Sequence, residues 1–203
     1  ALGLAREGAA VAVAEIDEGA AAETAALVRD AGGRALTVPV DVSDEAAVKE
    51  MVNAVVGAFG RVDVLVNNAA ILPVHGQSSF DRLTVAEWDR MFAVNVRGTW
   101  LCCREVIPHM RNQGGGSIIN ISSGTAWKAI ANSLNYVATK AAIAGITRAL
   151  AREVGGDSGI RVNTVAPGLT ESEAVVSRFS PEERKAALRE RVIQRAERPD
   201  DLV

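Results

Sequence analysis

Tyr136 and Lys140 stand four residues apart, and Ser123 precedes the tyrosine by thirteen. On a helix, the i,i+4 spacing brings phenol and ammonium to one face. A free phenol titrates near about 10, and a neighbouring positive charge favours its ionised form. Tyr136 is therefore expected to act as a general acid or base nearer neutrality, with Ser123 polarising the same reacting oxygen. Such a trio suits the movement of a proton together with a hydride. A solitary Tyr-x-x-x-Lys also marks ordinary amphipathic helices, so the surrounding pattern decides between the two.

That pattern alternates apolar, strand-like runs with helical stretches, as in a parallel sheet covered by helices. Strands are expected over residues 10–14, 36–40, 62–66, 117–121 and 160–165. Helices are expected over 20–30, 44–59, 85–112 and from Tyr136 to about Val154, with Gly32, Gly33 and Gly60 ending the first two. The predicted fold class is α/β, a doubly wound parallel sheet of Rossmann type, in one domain over residues 1–203. Residues 169–198 are polar and charge-rich, with a helix start at Ser180-Pro181-Glu182-Glu183. Their place past a strand's carboxyl end favours a lid over the substrate; the alternative is a plain solvated helix pair.

Composition narrows the function classes. With 203 residues, 48% apolar and 23% charged, the chain can bury a core without disulfides. A net charge of -3 and the absence of a basic cluster with interleaved aromatics disfavour nucleic acid as a partner. Cys102 and Cys103 are adjacent in an apolar stretch, which suits neither a redox pair nor a zinc site. No metal is expected. No apolar run reaches the roughly 18 residues that span a bilayer, and the chain does not open on a signal pattern. A cytoplasmic location is the expectation, although a chain that starts at Ala1 shows nothing of what precedes it. His75 and His109 have no catalytic company, and the Gly-x-Ser-x-Gly elbow of a serine hydrolase does not occur.

Glu15 follows the first strand-like run, where a carboxylate can accept hydrogen bonds from the adenosine ribose of a dinucleotide and repel a 2′-phosphate. That favours NAD over NADP. The competing reading is that Glu15 and Asp17 begin the next helix. A glycine-rich phosphate loop would lie roughly 20 residues earlier, before Ala1, and no glycine run here follows a strand in the required way.

Taken together, the chain resembles the short-chain dehydrogenase/reductase family over essentially its whole length. The motifs in register are Asp41-Val42, Asn67-Asn68-Ala69-Ala70, Asn95-Val96-Arg97-Gly98, Ser123 after Ile119-Asn120-Ile121, Tyr136-x-x-x-Lys140 and Pro167-Gly168. The resemblance implies a catalytic tetrad of Asn95, Ser123, Tyr136 and Lys140, with Asn95 distorting its helix and holding a water that links Lys140 to solvent. It implies dinucleotide contacts from Glu15, Asp41, Val42, Asn68, Ala69, Tyr136, Lys140, Pro167, Gly168 and Thr170. Substrate would meet Ser123, Thr125, Trp127, Asn135 and Tyr136, in a pocket extending to Pro73, Val74, His75, Leu134 and Phe179.

Three departures stand out. Ala70 replaces the usual glycine, Thr170 or Ser172 must serve where the family has a later threonine, and both the first strand with its Gly-rich loop and the C-terminal strand are missing. The implied activity is interconversion of a secondary alcohol and a ketone with NAD, on a homotetramer or, failing that, a dimer. An NADP-dependent 3-oxoacyl reductase and a non-redox epimerase, dehydratase or dinucleotide-binding protein are the alternatives.

Overall fold

The computed structural model describes residues 1–73, 79–156, 158–189 and 195–202. Short runs of β-branched and small apolar residues form five strands among them, each followed by a helix, and the helices after the first three strands start at a side-chain cap. The order is α1 (Leu2–Arg6), β1 (Val11–Glu15), α2 (Glu18–Asp30), β2 (Ala35–Pro39), α3 (Glu45–Phe59) and β3 (Val64–Asn67). Then come α4 (Val85–Phe92), a π-helical segment (Ala93–Gly98), α5 (Thr99–Asn112), β4 (Gly116–Ile121), α6 (Thr125–Lys128) and α7 (Leu134–Val154). The chain continues through β5 (Ile160–Val165), α8 (Glu173–Arg178), α9 (Pro181–Arg189) and a 3-10 turn at Pro199–Leu202. Asp17 caps α2 and Asp44 caps α3 with side-chain acceptors, and Thr84 with Glu87 forms a reciprocal capping box at α4.

All strand pairs are parallel, which confirms the α/β class. β1 pairs with β2, from Val11 opposite Ala35 to Glu15 opposite Pro39. β4 is flanked by β3 and β5, with Asn67 opposite Asn120 and Ile121 opposite Val165. The sheet is thus in two parts, of order β1-β2 and β3-β4-β5. Between them lies a groove of about 470 Å³ bounded by Val11, Ala12, Val64 and Val66, and the last two are 41% exposed. The main core joins α3, α5 and the second sheet through Val48, Leu101, Cys103, Met110, Ile118 and Ile160. The two cysteines are packing groups whose thiols burial pushes up to about 11 and about 12.

One element differs from the sequence pattern. Residues 85–112 read as a single helix, yet residues 93–98 widen into a π turn. Asn95 is the cause on the inner side, because its side chain is fully buried and bonds outside the helix. Gly98 closes the segment where a Cβ would stand 2.8 Å from Val42 Cγ2 and 3.1 Å from Val42 O. This glycine lets the loop after β2 lie directly on the helix. Arg90 and Arg97 reinforce that contact, donating to Asp41 Oδ2 at 3.1 Å and to the Ser43 carbonyl at 3.1 Å. The carboxyl ends of β2 and β3 are therefore drawn to the same helix.

Candidate active site

In a parallel sheet every strand delivers its last residue to the same edge, and this geometry gathers the chemically interesting side chains. Ser122 and Ser123 follow β4, Pro167 and Gly168 follow β5, and the Gly124 N–H donates to the Pro167 carbonyl at 2.8 Å, tying the two loops together. α7 runs beside this edge. Its buried polar face carries Asn135, Tyr136, Thr139, Lys140 and Thr147.

Lys140 is held at both ends. The Ser122 hydroxyl donates to its backbone carbonyl at 2.7 Å, and its own Nζ donates to the Ile121 carbonyl at 2.9 Å. An ammonium has three protons, of which this bond uses one. Lys140 Nζ lies 5.7 Å from the centre of the Tyr136 ring. Only 3% of the residue is exposed, and this burial pulls its pKa from 10.5 down to about 8. It remains mainly protonated at neutrality.

Tyr136 differs from the sequence-based expectation. Burial raises its phenol above the ordinary value of 10, and hydrogen bonding with Ser123 works against that rise. Loss of solvent around the ring is the largest cause. Ser123 Oγ in turn accepts from the Thr125 N–H at 3.2 Å and shares a hydrogen bond with the Thr125 hydroxyl at 3.0 Å.

Asn95 reads from local propensity as a surface residue but is fully buried. Its Oδ1 accepts from the Ile71 N–H at 2.7 Å; its Nδ2 donates to the Ile71 carbonyl at 3.1 Å and to Thr139 Oγ1 at 3.2 Å. Thr139 passes its own proton to the Tyr136 carbonyl at 2.8 Å. The side chain thus splices the loop after β3 to α7, and the Asn95 backbone carbonyl accepts from the Thr99 hydroxyl at 2.8 Å.

The remaining sequence-predicted positions fall into three groups. Glu15, Asp41, Val42, Asn68 and Ala69 lie at or just beyond the carboxyl ends of β1, β2 and β3. The Glu15 carboxylate accepts from the N–H groups of Ile16 and Asp17 at 2.8 and 3.3 Å. The Asp41 carboxyl is held below the ordinary range, first by the Ser43 hydroxyl at 2.7 Å and also by Arg90. Thr170, expected among the dinucleotide contacts, donates instead to Glu197 Oε1 at 2.8 Å, while Glu197 Oε2 accepts from the Gly168 N–H at 3.3 Å. A contact with cofactor would require that bond to be exchanged.

Thr125 and Trp127 line α6, and Trp127, Ile130 and Leu134 are 63%, 47% and 52% exposed. Between them Ala129 adopts φ 56° and ψ 157°, at the edge of a region that strongly favours glycine. Asn135, expected at the substrate, is buried, and its Oδ1 accepts from the Tyr136 N–H at 2.9 Å, satisfying an open donor in the first turn of α7. Val74 and His75 lie outside the described residues.

An amide at the end of β3 is expected to hold a neighbouring strand, as Asn67 does, but sequence reasoning missed Asn120 and Thr147 behind it. Asn67 Nδ2 donates to Asn120 Oδ1 at 2.8 Å, and Asn120 Nδ2 to Thr147 Oγ1 at 3.0 Å, linking β3, β4 and α7. The available signal was the four-residue spacing of Thr139, Ile143 and Thr147, which puts two hydroxyls on a buried face. The description of short chain dehydrogenases matches residues 1–183. The chain belongs to that family.

An oxidoreductase of Mycobacterium tuberculosis, itself uncharacterised, is 44% identical over 203 residues, covering 98% of this chain and 79% of its own. Among solved structures, a 7α-hydroxysteroid dehydrogenase complexed with NADH and 7-oxo glycochenodeoxycholic acid superposes with a TM-score of 0.90 at 31% identity, covering 98% of this chain and 76% of that one. A gluconate 5-dehydrogenase from Burkholderia cenocepacia J2315, in complex with NADP and tartrate, gives 0.89 at 29% identity, with 98% and 77% covered. Family membership makes the chain an oxidoreductase of a class that binds NAD or NADP and acts on small molecules. Among the described residues no helix is long and apolar enough to cross a membrane, and no cluster of His, Cys, Asp and Glu is suited to a metal.

Proposed function

We propose that the chain is an NAD(H)-dependent oxidoreductase interconverting a secondary alcohol and a ketone, with Asn95, Ser123, Tyr136 and Lys140 as its working residues. The observation that carries this reading is the convergence of the Ser123 hydroxyl, the buried Tyr136 phenol and the Lys140 ammonium at the carboxyl edge of β4.

The residues present fit a dinucleotide. Lys140 has donors to offer ribose hydroxyls, Glu15 has a carboxylate at the end of β1, and the tight seat of Gly98 on Val42 holds the loop beside Asp41. Asn68, Ala69, Pro167, Gly168 and, after release from Glu197, Thr170 would complete the binding edge. The nicotinamide supplies the acceptor for the hydride that leaves the carbinol carbon. Tyr136 takes the hydroxyl proton as the C–O bond becomes a carbonyl, and returns it in the reductive direction. Ser123 donates to that same oxygen, and the Lys140 charge favours the phenolate as the proton arrives or departs. Asn95 holds the loop after β3 against α7.

Glu15 supports NAD, since a carboxylate there opposes a 2′-phosphate. The exposed Trp127, Ile130 and Leu134 in the segment between Ser123 and Tyr136 support a bulky, ring-bearing alcohol, with the strained turn at Ala129 among them. Residues 169–198 serve as the lid, in one domain over 1–203. A second groove, of about 540 Å³, runs along α4, α5 and α7 past Phe92, Val96, Trp100 and Ile146, and fits helix pairing in a cytoplasmic homotetramer. Tyr136→Phe tests the chemistry. NADH absorbance with cyclic secondary alcohols and ketones should fall at least about 100-fold in the variant while NADH binding persists. Retained turnover would refute the assignment.

A further inference from the structure

Besides its hydrogen bond with the Tyr136 phenol, Ser123 takes two bonds from one neighbouring residue. The Thr125 N–H reaches Ser123 Oγ at 3.2 Å and the Thr125 hydroxyl reaches it at 3.0 Å. A hydroxyl has one proton and two lone pairs. The backbone N–H can only donate, so it always fills one lone pair. The hydroxyl–hydroxyl bond can run either way, and its direction decides what Ser123 presents to a third oxygen. If Thr125 donates, both lone pairs are filled and the Ser123 proton points onward. If Ser123 donates to Thr125, the reacting oxygen meets only lone pairs.

We infer that Thr125 is a positioning residue, whose hydroxyl donates to Ser123 and thereby leaves the single Ser123 proton for the oxygen opposite it, the Tyr136 phenol in the empty site and the reacting oxygen once substrate is bound. The charge on that oxygen selects this direction. A donor chain from Thr125 through Ser123 to a negative oxygen polarises each bond in turn, whereas the reversed bond sets lone pairs against the charge. The turn is braced for the task. Gly124 donates to Pro167, and the Ala126 N–H to the Ser123 carbonyl at 3.0 Å, so the two hydroxyls are held in reach without help from substrate. The hydrogen bonding of Ser123 that limits the rise in the Tyr136 pKa is then partly owed to Thr125. In turnover this inference rests on the redox reading of the site; at the phenol it is independent of that reading.

The chain contains one tyrosine, so phenolate absorbance reports Tyr136 directly. Lys140, the charged group against its ring, is common to all the variants compared. Ser123→Ala should raise the Tyr136 pKa. Thr125→Val, which keeps the shape and removes the hydroxyl, should raise it by about half a pH unit. Thr125→Ser should restore the parent value. The ¹³C shift of labelled Tyr136 Cζ at neutral pH reads the same hydrogen bond without alkaline exposure. In parallel, Thr125→Val should lower kcat about tenfold with KM changed less than about twofold, and Thr125→Ser should recover it.

A Tyr136 titration and ¹³C shift indifferent to Thr125→Val overturn the inference, even if turnover falls. A serine variant as impaired as valine also overturns it, since shape rather than the hydroxyl would be responsible. If the titration moves as expected and no alcohol or ketone is turned over by the parent chain, the redox reading fails and the positioning of Ser123 stands.

Discussion

Replacing Lys140 with methionine converts the burial of an ammonium into a measurable pH dependence. Lys140 is 3% exposed, and burial draws its pKa from 10.5 to about 8. The folded chain therefore holds this proton less tightly than the unfolded chain does. Stability is lost as pH falls through about 8 and is recovered as pH rises toward the unfolded value. Well below pH 8, carrying the charge costs about 3 kcal/mol, at about 1.4 kcal/mol for each pH unit between the two values. About 1 kcal/mol of this is recovered between about pH 8 and about pH 9.

The parent chain alone would hide the effect. Cys102 and Cys103 are pushed up from 9.0 to about 11 and about 12, and ionisation of these thiols in the unfolded chain subtracts stability over the same interval. Subtracting the stability of Lys140→Met from that of the parent cancels the thiols. The variant also loses the bond to the Ile121 carbonyl, a pH-independent offset of about 1–3 kcal/mol. Urea unfolding followed by tryptophan emission, from about pH 7 to about pH 9.5, gives the difference. It should move in the parent's favour by about 1 kcal/mol from pH 8 to 9. A flat difference would refute the claim that Lys140 carries its charge in a desolvated place.

Two further predictions concern the binding edge. Glu15→Ser removes the carboxylate at the end of β1 and should shift the ratio of kcat/KM for NADP over NAD upward by about tenfold or more, a change of about 1.4 kcal/mol; an unchanged ratio measured by NAD(P)H absorbance would move cofactor choice to other residues. Gly98→Ala places a Cβ 2.8 Å from Val42 Cγ2 and should cost about 1–3 kcal/mol of stability with weakened NADH binding; an unaltered melting temperature would mean that the loop after β2 yields freely.

Much of the architecture was legible before any coordinates. The 160–165 strand is found with those bounds, and the others shift by a residue or two at their ends. Asp44 and Gly60 bracket α3 as capping chemistry demands, with Gly60 in the left-handed conformation at φ 80°. What periodicity did not reveal is the π segment. A run of helix-compatible residues from 85 to 112 carries no sign of a wider turn, because the cause is a bond from Asn95 to Ile71, 24 residues away.

By itself the sequence determined the order of strands and helices, the i,i+4 pairing of Tyr136 with Lys140, and the placement of Ser123 after a strand. These depend on local spacing, which survives without a fold. Tertiary structure decided the electrostatics. Whether the ammonium or the loss of solvent rules the Tyr136 phenol depends on burial by β4, β5 and α7 together, and here burial wins. It also decided which polar residues are structural: Asn95, Asn120 and Asn135 look alike in the sequence, yet each is satisfied by a different partner that only packing brings within reach.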